Sequence, residues 1–204
     1  MNISVSDLNF HVNRRDEVFE LVEKFHYSRR VPSNVQFVAS FHSSGGLFGD
    51  LGRCEAGIVF SIPPTRWSES VLELSKLIRR DESKLPLTAL ISKAVSELYR
   101  RGLADLLVSF ADQTHHHHGG VYRAASWNYD GMRSPSMDGI VIAGTFVPGR
   151  SANSVYGTRS PERLAAIGID AEPHYDEGKH LYWRALDKRG AEKAARLGLG
   201  KLPW

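Results

Sequence analysis

The chain reads as an α/β protein of the α+β kind, with a mixed central sheet flanked by helices. Three observations carry that reading. Residues 35–41 and 55–62 are strand-like runs separated by the polar, glycine-bearing segment SSGGLFGDLG, which suits a hairpin. Residues 71–79, VLELSKLIR, alternate apolar and polar side chains as a third strand would, with Glu73, Ser75 and Lys76 toward the less buried side. A helix with apolar positions Leu87, Leu90, Ile91, Ala94, Val95 and Leu98 then leads through Gly102 into the short apolar run Ala104 to Phe110, a buried strand. Strands followed by helix and strand in alternation make a sheet with helices packed on its faces.

The remaining elements fill in around that frame. Val18, Leu21, Val22 and Phe25 share one helical face, so residues 14–25 read as an amphipathic helix that delivers His26, Tyr27 and Ser28 to its C-terminal end before Pro32. Pro63 and Pro64 stop the second strand, and the long helix runs from about Leu85 to Arg100. Asp112 stands just past the carboxyl end of the 104–110 strand, where open α/β sheets place their chemistry. Gly119 and Gly120 allow close backbone approach, and Val121 to Ala125 read as a short helix carrying Tyr122. Residues 139–147, GIVIAGTFV, predict one strand. Ser160, Pro161 and Glu162 have the chemistry of a helix cap and first turn, through Ala166. Residues 180–186 predict a strand and 187–197, DKRGAEKAARL, a short basic helix. The expected organisation is one domain, with a core over about 14–147 and an extension over about 148–204.

A length of 204 residues with 42% hydrophobic content suits one well-buried domain better than two large ones. The formal charge of +3, with a pI near 9.0, favours anionic partners only weakly. Basic residues do cluster locally, at Arg29 and Arg30 and at Lys188, Arg189, Lys193 and Arg196; a solvated face is the plainer reading of each. The single cysteine, Cys54, excludes an internal disulfide framework and suits a reducing cytosol. Charges appear too early for a secretory signal, and no apolar stretch approaches the ~18 residues of a membrane span, so a soluble cytoplasmic protein is expected.

Five motifs carry a resemblance. FHYSRR at 25–30, ELSKL at 73–77, VSFAD at 108–112, HHGGVYRAASWNYDG at 117–131 and KHLYWRAL at 179–186 resemble, in sequence order, the motif series of Mom-type phage DNA modification proteins. The layout of strand pair, third strand, helix, fourth strand and helix with an inward tyrosine resembles the GNAT acyltransferase superfamily. The resemblance implies a GNAT-like enzyme that converts adenine in double-stranded DNA to a carbamoylmethyl-type N6-modified base, shielding phage DNA from host restriction. It implies an acyl-CoA such as acetyl-CoA, held along Leu77 and Ile78 where the third strand splays from its neighbour. The pyrophosphate would sit at the start of the long helix. The segment RRDESKLPLT at 79–88 lacks the glycine-rich phosphate loop of the usual acetyltransferases, and Lys84, Thr88 and the amides near Leu87 stand in its place. Matched by motif, the catalytic set falls on His26, Tyr27, Asp112 and Tyr122, with Ser92 as the family's helical serine. Lys76 stands where the motif has arginine; it keeps the charge and loses the bidentate fork. Arg29, Arg30, Lys76 and Arg133 are the implied DNA contacts.

The chemistry asks for these residue types. The exocyclic amine of adenine is a poor nucleophile, so a carboxylate accepting an N6 hydrogen bond, assigned to Asp112, raises its reactivity. A base inside a duplex has to be extruded, and Tyr27 offers a stacking surface, whereas Trp127 reads as core. Tyr122 would protonate a departing CoA thiolate, and His26 would relay that proton or bind a metal. Plain acetyl transfer does not create a nitrogen-containing substituent, and a redox metal would be one source of the extra chemistry. Iron or zinc is therefore considered, with His26, His116 and His118 as ligand candidates; consecutive histidines cannot all point into one site. The expectation is that Asp112, Tyr122 and His26 converge on one cleft. Two other readings share part of this evidence: an ordinary GNAT N-acetyltransferase acting on a small amine or protein, and a non-catalytic DNA-binding module.

Overall fold

The computed structural model describes residues 8–44, 52–63, 67 and 70–200. Most of the expected 43–52 hairpin loop, and Pro64, lie outside the described residues. The chain divides into two compact units. The first takes in the described residues within Met1–Phe110, Gly119–Gly131 and Leu181–Trp204, and the second Ala111–His118 and Met132–His180.

In the first unit, β1 (Leu8–Val12), β2 (Val35–Ser43), β3 (Cys54–Ser61) and β4 (Val71–Arg79) pair antiparallel in that order. The sheet continues through β5 (Leu106–Asp112), β10 (Lys179–Ala185) and β6 (Asn128–Arg133). Helix α1 (Arg15–Phe25) has Asp16 and Glu17 in its first turn and Lys24 in its last, the polarity that the helix dipole favours. It buries Val18, Leu21 and Val22 against Val38, Val59 and Ile78. Seating it requires Gly57 on β3, where a Cβ would stand 2.7 Å from Val18 Cγ1. Helix α2 (Leu87–Arg100) covers the other face, burying Leu90, Ile91, Ala94, Val95 and Leu98, the stripe its periodicity predicts. Its Lys93 ammonium lies 5.8 Å and 5.6 Å from the ring centroids of Phe10 and Phe41.

The decisive feature is the β4–β5 pair, which runs parallel. It holds for three residues, Val71↔Leu106, Leu72↔Leu107 and Glu73↔Val108, and then parts, although β4 continues to Arg79. Helix α3 (Gly120–Ala124) follows, and α6 (Lys188–Arg196) is capped by Asp187, whose Oδ1 accepts from the Gly190 amide at 2.9 Å. Two of the basic residues of α6 pair inside the unit. Arg189 and Lys193 reach the Asp105 carboxylate at 3.1 and 3.4 Å, and Ala194 is buried with Val71, Leu106 and Leu181.

In the second unit β7 (Met137–Ile142) lies between β8 (Thr145–Pro148) and β9 (Glu172–Tyr175). Helices α4 (Gly149–Tyr156) and α5 (Pro161–Ala165) contribute Ala152 and Leu164 to a core around Ile140. Ser160 caps α5 as its sequence predicts. The single strand predicted over 139–147 is instead a hairpin: Ile142 pairs with Thr145 across a two-residue turn. Ala143 and Gly144 both adopt positive φ, +47° and +75°, the type I′ geometry that matches strand twist. Alanine rarely adopts that conformation, which is why the turn is hidden in an apolar run.

Two outcomes are expected. Ala143→Asn should stabilise the protein by up to about 1 kcal/mol, read as a raised denaturation midpoint, because Asn tolerates the left-handed region. Gly57→Ala should cost about 1–3 kcal/mol in the same measurement, through overpacking against Val18.

Candidate active site

On β4, Phe60 pairs with Leu74 and Val59 with Lys76, which leaves Ser75 as the extra residue of a bulge. Its Oγ donates to the Val59 carbonyl at 3.2 Å. Glu73 pairs with Ser61 and Lys76 with Val59, and Ser61 and Val59 share a face of β3. Glu73 and Lys76 therefore project from one face, although their odd spacing would put them on opposite sides of a regular strand.

The Lys76 side chain meets the end of α1. The helix stops at Phe25, His26 is extended, and Arg29 turns the chain at φ +46°, with its amide donating to the His26 carbonyl at 2.9 Å. His26 is buried. Its Nδ1 accepts from the Ser28 amide at 3.1 Å and lies 3.0 Å from Ser28 Oγ. Lys76 Nζ donates to that Oγ at 2.7 Å, so the hydroxyl directs its own proton to the imidazole. With Nδ1 accepting, the ring proton belongs on Nε2. The Tyr27 ring lies against His26 at 4.3 Å between centroids and is 46% exposed, and Lys76 Nζ is 5.9 Å from its centroid.

Tyr122 is positioned by Gly119, which opens α3 at φ +67° and whose missing Cβ would stand 2.1 Å from the Tyr182 ring. The Tyr122 ring packs beside Trp127 and Tyr182, at 5.5 and 5.2 Å, and is only 9% exposed. Its hydroxyl hydrogen-bonds with Ser109, whose Oγ donates to the Leu74 carbonyl at 2.8 Å. Burial pushes the Tyr122 pKa up to about 12; the Ser109 bond works the other way, while Glu73 and Tyr182 add to the rise. The phenol therefore keeps its proton throughout the physiological range.

The other predicted residues are placed as follows. Arg29 and Arg30 are exposed, and Ser92 is exposed on α2. Leu77 is half-buried, and Ile78 packs into the cluster under α1. Lys84 is exposed, Thr88 is half-buried, and the α2 N-cap residue Pro86 makes no side-chain cap. Trp127 is core, at 5% exposure.

In the second unit, Asp112 closes β5, and its Oδ1 accepts from the Thr114 amide at 3.1 Å, capping a 3₁₀ turn over Gln113–His115. His115 to His118 are exposed, and Arg133 is half-buried. The His118 ring lies 6.1 Å from His180, whose Nε2 is 3.0 Å from Gln113 Oε1. His26, His116 and His118 belong to no trio of metal-ligating atoms among the described residues; the trio with that spacing is Glu17, His42 and Cys54.

Sequence reasoning assigned no role in the site to Ser28, Ser109 or Glu73, although the quoted motifs contain all three. Ser109 carried the one usable signal, a hydroxyl inside an otherwise apolar buried run.

An antiparallel sheet leading into a parallel pair that splays beside a helix defines the fold class of the GNAT acyltransferases, and solved structures match it across most of the chain. They include a variant of the spermidine N-acetyltransferase SpeG from Vibrio cholerae, with a TM-score of 0.52, 9% identity, and coverage of 90% of this chain and 96% of that one. The ribosomal-protein-S18-alanine N-acetyltransferase from Escherichia coli matches with a TM-score of 0.50 and 9% identity, over 88% and 94% of the two chains. The protein yncA from Salmonella typhimurium, solved with acetyl-CoA, matches with a TM-score of 0.50 and 10% identity, over 89% and 95%. At such identities the likeness is one of fold. The chain belongs to the Mom protein family, whose model matches residues 7–198. No curated protein matches it.

The raised Tyr122 pKa has a stability consequence. The unfolded chain ionises this phenol from about pH 10 while the folded one resists to about 12, so its contribution is present below pH 10 and is lost as pH rises between those values. In alkaline denaturation, Tyr122→Phe should abolish about 2–3 kcal/mol of that loss. Gly119→Ala should lower the melting temperature and perturb the near-ultraviolet signal of the Tyr122–Trp127–Tyr182 group.

Proposed function

We propose that this protein modifies the N6 amine of adenine in double-stranded DNA by a reaction that begins with acyl transfer from an acyl-CoA, and so protects DNA from restriction. Membership of the Mom family supports the substrate. The observation that supports the chemistry is a buried, fully protonated Tyr122 hydrogen-bonded to Ser109 beside the point where β4 and β5 part. The acyl-CoA is assigned to the segment from Leu77 and Ile78 to Lys84 and Thr88; one solved structure of the same fold carries acetyl-CoA as its cofactor.

Each residue has a role in that reading. Asp112 accepts a hydrogen bond from the adenine amine and takes its proton as the new N–C bond forms. The C–S bond of the thioester breaks, and Tyr122 donates its proton to the thiolate. His26 offers Nε2–H as a donor, held in that tautomer by Ser28, which Lys76 orients. Tyr27, with nearly half its surface exposed, stacks on the extruded base. Arg29, Arg30 and Arg133 hold phosphates. Ser92, exposed on α2, stays in the set as the counterpart of the family's helical serine.

Nucleoside mass analysis of DNA from cells expressing the chain tests this reading. Modified adenosine is expected with the wild type, and none with Asp112→Asn or Tyr122→Phe at matched levels of folded protein. An unmodified adenosine pool with folded wild-type protein overturns it. The double change Arg29→Ala and Arg30→Ala should reduce the slope of log affinity for duplex DNA against log salt by about 2, since each phosphate contact contributes about 0.9.

A further inference from the structure

A second bulge shapes the far end of the first unit. Phe41 pairs with Ala56 but His42 pairs with Cys54, leaving Glu55 as the extra residue. Cys54 thereby lies directly across from His42, packed in the cluster under α1, and Glu17 approaches from the first turn of that helix. A carboxylate oxygen of Glu17, a ring nitrogen of His42 and Cys54 Sγ all lie within 4.8 Å of one another. His42 is fully buried, with Nδ1 3.3 Å from Glu17 Oε2 and Nε2 2.9 Å from Ser40 Oγ. The His11 ring stands 5.0 Å from that of His42, and its buried Nε2 has no hydrogen-bond partner among the described residues. A cleft is lined by Glu17, Glu20, Leu21, Lys24, Cys54 and Arg80, two of the three donor residues among them.

We infer that Glu17, His42 and Cys54 form a zinc-binding site whose fourth position opens to this cleft. A thiolate, an imidazole and a carboxylate together are a zinc donor set, and three protein ligands leave one place for water. Bonds of about 2.0–2.3 Å put the ligand atoms of a tetrahedral zinc about 3.5 Å apart. Glu17 and His42 already stand at that separation, and Cys54 Sγ lies within 4.8 Å of both. With Nδ1 on the ion, Nε2–H donates to Ser40 Oγ, a partner that fixes the tautomer. The ion displaces the contact between Nδ1 and the Gly52 carbonyl at 3.1 Å. Burial pushes the metal-free Cys54 thiol up to about 12, so uptake releases that proton to solvent. The cations nearby are engaged: Arg14 lies 3.7 Å from Glu17, Lys24 pairs with Glu20, and Arg80 donates to the Cys54 carbonyl at 2.8 Å. A bound ion ties the first turn of α1 to the β2–β3 hairpin, at the opposite end of that helix from His26.

Cobalt(II) added to the full-length protein tests the site without reference to DNA modification. Cys54 is the chain's only cysteine, so a thiolate-to-cobalt charge-transfer band reports this site alone, and binding to the His115–His118 run adds none. The band should saturate at one equivalent, vanish in Cys54→Ser and yield to added zinc. Glu17→Gln, at a part-exposed side chain, keeps the fold and should weaken cobalt at least tenfold; Ser40→Ala should weaken it by about 10–100-fold. A folded wild-type protein with no such band, or a band of unchanged affinity in Glu17→Gln, overturns the assignment.

Discussion

The separation of β4 from β5 after three paired residues is the constraint on which the first unit depends. A parallel ladder that stops inside a sheet leaves backbone groups without their usual partners. Ser109 answers one of them, donating to the Leu74 carbonyl, and the same hydroxyl meets the Tyr122 phenol. The polar group at the parting and the tyrosine presented there are thus one arrangement. The burial that keeps the phenol protonated follows from the ring's packing beside Trp127 and Tyr182.

The bulge at Ser75 does comparable work on β4. A regular strand would send Glu73 and Lys76 to opposite faces; the extra residue brings them to one. Lys76 can then reach Ser28, and through it set the proton of His26. Lysine suits this task, since a single directed N–H contact to a hydroxyl needs no planar fork. Total charge, by contrast, says little here. Two of the four basic residues of α6, Arg189 and Lys193, pair with Asp105, and Arg189 also with Asp187.

Much of this frame was legible in the residues. Helices α1, α2 and α6 announce themselves by apolar period or cap, and β2 to β5 by short apolar runs between breakers. Strands β1, β6 and β9 escaped notice because four to six residues with mixed burial carry no clear alternation. The β7–β8 turn escaped because alanine occupies a position where asparagine or glycine would have marked it. His26, Lys76 and Tyr122 were visible as members of motifs. Ser28, Ser109 and Glu73 stand in the same motifs, but their parts in the site were not legible, because those depend on register and on a bulge, which spacing alone does not show.

The path of the chain between its two units has a consequence for how the protein can be dissected. The polypeptide passes from one to the other at 110/111, 118/119, 131/132 and 180/181. Neither unit is a continuous stretch of sequence, so no single cut liberates either of them whole. During synthesis the first unit stays incomplete until the ribosome has passed β10 and α6, because β10 lies between β5 and β6 in the sheet.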